Sequence, residues 1–294
     1  MDIIPQLIVS GLAAGGVYGL IALGFVLVYK ATSILNLATG ELMTVGAFIC
    51  FTALTWGGMP FYVALPVTLG CAALLALVVE RAVLRPLIGE PVISVIMVTI
   101  GLAGILRGLS QILWSADYRS FPPIFPPQPL SLGFAIVPSG LLWGFVFATI
   151  CTAVFSLIFR YTRTGLAMRA TASNQQAALS MGISVKKVFA LSWVFAAITA
   201  AIGGIIIGNI SGISIHLGGI GLKVLAVIIL GGLDSVVGAI VGGFVIGILE
   251  NFAGLYLDQY FGGGTKEVFP FFVLVIILMI RPYGIFGKEV VERV

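Results

Sequence analysis

Leu7-Ile8-Val9-Ser10-Gly11-Leu12-Ala13-Ala14-Gly15-Gly16-Val17-Tyr18-Gly19-Leu20-Ile21-Ala22-Leu23-Gly24-Phe25-Val26-Leu27-Val28-Tyr29 contains no charge, and Lys30 ends it. An α-helix crossing a hydrocarbon core about 30 Å thick needs about 20 apolar residues. Residues 7–29 therefore predict a membrane-spanning helix. Further candidates are 34–56, 61–79, 93–114, 140–159, 188–210, an interrupted region 221–250, and 268–280. None alternates in hydrophobicity as a barrel strand does. The expected fold is an all-α integral membrane protein, a polytopic bundle of about eight or nine segments, some broken, in one domain over residues 1–294.

Composition agrees. Of 294 residues, 60% are hydrophobic and 9% charged, with mean hydropathy +1.19. Soluble domains carry about a quarter charged residues, so a water-soluble protein is excluded, and so is disorder. Cys50, Cys71 and Cys151 show neither metal spacing nor a disulfide framework. A net charge of +4 with so little polar surface points to basic flanks of membrane helices, hence to lipid and not to nucleic acid. Met1-Asp2-Ile3-Ile4-Pro5 lacks the basic start of a signal peptide, and the apolar run after it is too long for one, so the first helix is expected to be retained.

Lys and Arg collect on the cytoplasmic side of membrane proteins. With the N-terminus outside, 11 lie inside: Lys30, Arg81, Arg85, Arg160, Arg163, Arg169, Lys186, Lys187, Arg281, Lys288 and Arg293. Arg119 and Lys266 stay outside, and Arg107 and Lys223 fall within apolar segments, which completes the 15. Trp56, Trp114 and Trp143 then mark the outer interface, with Tyr29 and Tyr161 at the inner one. A break at Gly231-Gly232-Leu233-Asp234-Ser235 makes two passes of 221–250, read as two half-helices, and returns the C-terminus to the inside.

Two connections stand out. Residues 117–139 hold Pro122, Pro123, Pro126, Pro127, Pro129 and Pro138, a stiff external cap that excludes regular helix. Residues 160–187 form the long hydrophilic inner loop, whose Leu166-Ala167-Met168-Arg169-Ala170 centre favours helix. A cytoplasmic partner is expected there.

Gly11, Gly15 and Gly19 make a smooth stripe, repeated by Gly204, Gly208 and Gly212 and by Gly243 and Gly247. Close helix packing is the main reading, with a pore-lining role as the alternative. Asn36-Leu37-Ala38-Thr39-Gly40-Glu41 places an ionisable group in an apolar segment, which must face protein or water. A structural Asn–Glu pair and a place in a substrate path are both open, and Arg107 is a candidate partner for Glu41. His216 is the single histidine and is expected in an exposed outer turn; it offers no two-histidine metal site. The metalloprotease helix, the nucleophile elbow and the nucleotide loop GxxxxGK[ST] are missing. No catalytic residue, metal or cofactor is expected, and the chain is not expected to hydrolyse ATP.

Four stretches in order carry a resemblance. Asn36 to Glu41 is similar to an Asn-Phe-Ala-His-Gly-Glu element, with Leu37 and Thr39 departing from it; Glu80-Arg81-Ala82-Val83-Leu84-Arg85-Pro86 is similar to an inner loop. Thr164 to Ala170, with Ala177 and Gly182-Ile183, is similar to a cytoplasmic loop, and Leu230-Gly231-Gly232 through Gly243 to a glycine-rich late helix. Together they resemble the permease subunit of a branched-chain amino-acid ABC importer, the first of its two permeases, over nearly the whole chain. That resemblance implies a second related permease, two ATPase subunits that bind the ATP, and a periplasmic binding protein, in a bacterial inner membrane. It implies an ATPase-coupling surface at Gly165, Arg169, Gln176, Ala177, Ala178 and Gly182, where Gln176 stands for the family's Glu. Thr39 in place of His removes an ionisable neighbour of Glu41. Helix ends suit a zwitterion, so the expected substrate path is Asn36, Thr39, Gly40 and Glu41 with Gly231 and Gly232. The rival readings are a urea or short-amide importer permease and an ion-coupled secondary transporter.

Overall fold

The computed structural model describes residues 3–122, 124–125, 128–131 and 136–287. Lys288 and Arg293 of the inner tally, and Pro123, Pro126 and Pro127 of the outer segment, lie outside the described residues.

The chain folds as α1 (Ile3–Thr32), α2 (Thr39–Thr55), α3 (Phe61–Val79), α4 (Val92–Trp114), α5 (Ser139–Tyr161), α6 (Arg163–Ser173), α7 (Gln175–Ser180), α8 (Val185–Ser211), α9 (Ile220–Gly231), α10 (Val236–Tyr256), α11 (Asp258–Phe261) and α12 (Thr265–Ile280). Six helices are long and apolar enough to span a membrane: α1, α3 with its continuation to Leu87, α4, α5, α8 and α10. α2 and the stretch Ile215–Gly231 are shorter apolar helices. One two-residue ladder, Leu130↔Val137 and Ser131↔Ile136, pins the proline-rich segment without disturbing the all-α fold.

Burial sorts the helices into layers. The most apolar stretch of α1 is 89% buried and that of α8 72%, against 28%, 22% and 17% for α3, α4 and α5. α1 and α8, with the shorter α2, are thus the core, and α3, α4 and α5 turn broad apolar faces outward. Glycine makes the central crossing possible. A Cβ on Gly15 would stand 2.5 Å from the Gly243 carbonyl oxygen, and one on Gly243 equally close to the Gly15 carbonyl. α1 and α10 therefore touch backbone to backbone, as the stripe Gly11, Gly15, Gly19 predicts. Trp114 joins α4 to α2 by stacking on Phe48 at 5.2 Å and donating from Nε1 to Thr52 Oγ1 at 2.7 Å.

Residues 221–250 make two passes, but not two half-helices. The chain turns at Gly232, whose φ of +105° suits glycine, and Ser235 caps α10 by accepting from the Gly238 N–H at 2.9 Å. The turn lies at the Lys30 end of the bundle, where Tyr29, Lys30, Arg169 and Asp234 line one cleft. α10 is consequently a full span of 21 residues. α9 has 12 residues and follows a 3-10 turn, Ile215–Gly219, that re-enters from the opposite end. The tail packs under α9: the Ile285 and Phe286 N–H groups donate to the Leu230 and Gly231 carbonyls at 2.8 and 3.0 Å. These bonds satisfy carbonyls that a helix end leaves open.

Candidate functional site

α1 ends at Thr32, yet the chain turns straight back into the bundle. Asn36 is 1% exposed, and its Oδ1 accepts from the Ala38 N–H at 3.0 Å while Thr39 Oγ1 donates to its carbonyl at 2.9 Å. This turn starts α2 inside the bundle. Thr99 of α4 braces it, accepting from the Leu37 N–H at 3.4 Å. Gly40 then meets the beginning of α9: a Cβ on Gly221 would lie 2.5 Å from the Gly40 Cα. Glu41 rests its carboxylate on bare Gly218, where a Cβ would come 2.5 Å from Oε1. The start of α2 and the re-entrant turn before α9 thus converge on Glu41.

Two polar atoms there lack partners. Asn36 Nδ2 and Glu41 Oε2 are buried and make no hydrogen bond. Each such orphan costs about 1–3 kcal/mol, more for a charged group. Arg107 makes no direct ion pair with Glu41 among the described residues; from an exposed face of α4 its charge acts on that carboxylate through space. The segment therefore holds one spare donor and one spare acceptor within an apolar bundle. Gly231 and Gly232 are not brought to this place. They lie about 15 Å away along α9, packed against Gly238 and against Phe286–Gly287.

The inner loop is a helical pair. Thr162 caps α6 by accepting from the Gly165 N–H at 3.1 Å, and Asn174 caps α7 by accepting from the Ala177 N–H at 3.0 Å. Gly165 abuts the last turn of α5, while Arg169 donates to the Phe159 carbonyl and lies 5.5 Å over its ring. Both fix α6 to the bundle. Ala178 is buried, whereas Gln176, Ala177 and Gly182 are exposed beside Leu179 and Met181. Met181 is 82% exposed. Leu179 and Met181 thus make an exposed apolar tip on a hydrophilic hairpin.

A third cluster escapes sequence reading. Lys223 Nζ lies 3.1 Å from Glu250 Oε1 and 2.9 Å from Glu267 Oε1, with the Lys223 and Glu250 side chains 6% and 10% exposed. Lys223 stands out as an intramembrane cation, but Glu250 lies 27 residues away and only the turn at Gly232 brings them together. A helical offset between α9 and α10 across that turn is the one signal that pairs them. His216 is exposed in the 3-10 turn, and among the described residues no group of three or more His, Cys, Asp or Glu is placed to hold a metal.

A family model described as "Branched-chain amino acid transport system / permease component" matches residues 7–280. The chain belongs to that family. BraD, a high-affinity branched-chain amino acid transport system permease protein of Pseudomonas aeruginosa, is 29% identical, with 98% of this chain and 97% of that protein aligned. A probable branched-chain amino acid transport permease protein LivH of Methanocaldococcus jannaschii is 32% identical over 92% and 88%. Among solved structures, a chain of PsaBC from Streptococcus pneumoniae in complex with Fab matches with a TM-score of 0.50 over 96% of this permease and 93% of that chain. At 14% identity the likeness is one of fold.

Proposed function

We propose that this permease forms half of the translocation path of an ATP-binding-cassette importer for branched-chain amino acids. It lies in the bacterial inner membrane with its N-terminus outside and its C-terminus inside. The observation that carries the path is the pair of orphaned atoms, Asn36 Nδ2 and Glu41 Oε2, in the break before α2. A zwitterionic amino acid brings a carboxylate for the first and an ammonium for the second, and the helix starts around Gly40 and Gly218 favour anions. Residues Asn36, Thr39, Gly40 and Glu41 then line the path. Gly231 and Gly232 serve it at a distance, holding the turn that seats α9.

A second, related permease faces α4. Arg107 supports this, because a guanidinium exposed on an apolar span must meet protein or water, not acyl chains. Two ATPase subunits dock on α6 and α7, where Gln176, Leu179, Met181 and Gly182 are presented, and they bind the ATP; this chain has no cofactor and no catalytic role. A periplasmic binding protein delivers substrate at the Trp56 end. Mass spectrometry of subunits co-purifying with the tagged chain tests the assembly: a second permease and ATPases are expected, and recovery of the chain alone defeats it. Uptake by the assembled complex tests the substrate, leucine against urea and short amides.

A further inference from the structure

Arg107 is a charge in an apolar span that the Asn36–Glu41 break does not use. It makes no ion pair among the described residues, and α4 carries no carboxylate of its own. The register of α4 on α2 gives its depth. Thr99 accepts from the Leu37 N–H and Trp114 donates to Thr52, 62 residues apart in each pair. The two helices therefore run parallel and in step. That register sets Arg107 level with Val45, about 6 Å beyond Glu41 towards the Trp114 end. A helical side chain leans towards the N-terminus of its own helix, which for Arg107 is towards Glu41. Its charge is felt at the Glu41 carboxylate without direct contact. Gly104, one turn back on the same face, has nothing within 4 Å of the place of a Cβ, so space remains below the guanidinium. An unpaired cation thus stands one turn above Glu41 Oε2, a buried oxygen with no hydrogen bond.

Resting on the transport reading above, we propose that Arg107 binds the carboxylate of the incoming amino acid while Glu41 Oε2 accepts from its ammonium. A guanidinium takes a carboxylate through two parallel hydrogen bonds. Urea and neutral amides offer no carboxylate and gain nothing from it, so Arg107 determines specificity for amino acids. Asn36 lies on the opposite side of Glu41, and the carboxylate passes from Arg107 to Asn36 Nδ2 while the ammonium stays on Glu41. Because α4 faces the second permease, this wall of the path lies in the seam between the two chains.

The complex, purified with its second permease and ATPases, is placed in nanodiscs. Thermal unfolding is followed against leucine and against isopentylamine, which is leucine without its carboxylate. Leucine is expected to stabilise at the lower concentration. Arg107→Gln should weaken half-saturation by leucine about tenfold or more, the scale of one charge-assisted hydrogen bond, and leave that by isopentylamine unchanged. Arg107→Lys keeps the charge but loses the fork, so its effect on leucine should be intermediate; it decides the matter should Arg107→Gln not assemble. Glu41→Gln should weaken both ligands. Wild-type leucine binding by Arg107→Gln, or equal weakening of both ligands, overturns the proposal, and the path stands without Arg107 if Glu41→Gln still weakens both. Loss of the second permease from both Arg107 variants also overturns it and gives the guanidinium to that chain. No stabilisation by leucine, or binding of both ligands unmoved by Glu41→Gln, defeats the path and the proposal together.

Discussion

Two glycine-spaced faces meet opposite fates. On α1, Gly11 and Gly15 lie against α10 so closely that a Cβ would enter backbone, and Gly19 faces Ile240 at ordinary contact distance. On α4, Gly101, Gly104 and Gly108 have nothing within 4 Å of the place a Cβ would take. Charge follows the same division. Beside the closed seam, one turn beyond Gly247, Glu250 is buried and ion-paired with Lys223 through Oε1; beside the open face, Glu41 is buried with no direct ion pair among the described residues. Small residues alone do not say whether a helix is packed. The closed side packs backbone on backbone, and the open side leaves contacts unmade.

The sharpest way to break this contrast is a bulky residue on each face. Gly15→Leu forces a side chain into the Gly243 carbonyl, where backbone cannot yield, and should cost more than about 3 kcal/mol. Folded, monodisperse protein is expected to vanish from size-exclusion profiles in detergent. Gly104→Leu should leave that profile unchanged and reduce the recovery of the second permease. Equal damage from both would dissolve the distinction.

Charge gives the next largest effects. Lys223→Met leaves Glu250 buried and uncompensated, which should destabilise by about 3–5 kcal/mol in thermal unfolding. Glu41→Gln removes a buried charge that has no direct ion pair, so stability should hold or rise. Leucine uptake by the assembled complex should nevertheless fall about tenfold. A Glu41→Gln variant as unstable as Lys223→Met would make Glu41 a structural residue and remove it from the path.

Much of the closed side is legible in the sequence. The seam of α1 and α10 follows from Gly11, Gly15, Gly19, Gly243 and Gly247, and the two passes follow from where Arg281 must lie. The site is legible only in part. Asn36 and Glu41 stand out as polar residues in an apolar run, but their neighbours Gly218 and Gly221 come from a 3-10 turn that apolar composition does not announce. Gly231 and Gly232 share with Gly40 the look of a helix break, and only three-dimensional placement separates a turn at the bundle end from one at membrane depth. Gly165 and Arg169, which the resemblance places on the coupling surface, also pack on the end of α5, Gly165 buried and Arg169 half-buried over Phe159, a contact that composition alone does not announce.

The smallest expected effect lies where the closed side meets water. After α10 the chain passes through α11 and three glycines, and Asp258 closes this turn by accepting from the Thr265 N–H at 2.9 Å and from Thr265 Oγ1 at 2.5 Å. The Thr265 hydrogen bonds hold its carboxyl below the usual carboxylate range. A depressed value means that the bonds stabilise the fold above the unperturbed value of about 3.9 and cease to do so as pH falls through the lower, folded one. Asp258→Asn should therefore lower the melting temperature slightly by the same amount at pH 5 and pH 8, since the carboxylate is ionised throughout. The gap to wild type should close only in acid, below about pH 4. Because the group is fully exposed, water and salt screen it, and the shift should be the least of those above. A gap that already narrows between pH 8 and pH 5 would assign the effect to another titrating group and leave the turn held by its glycines alone.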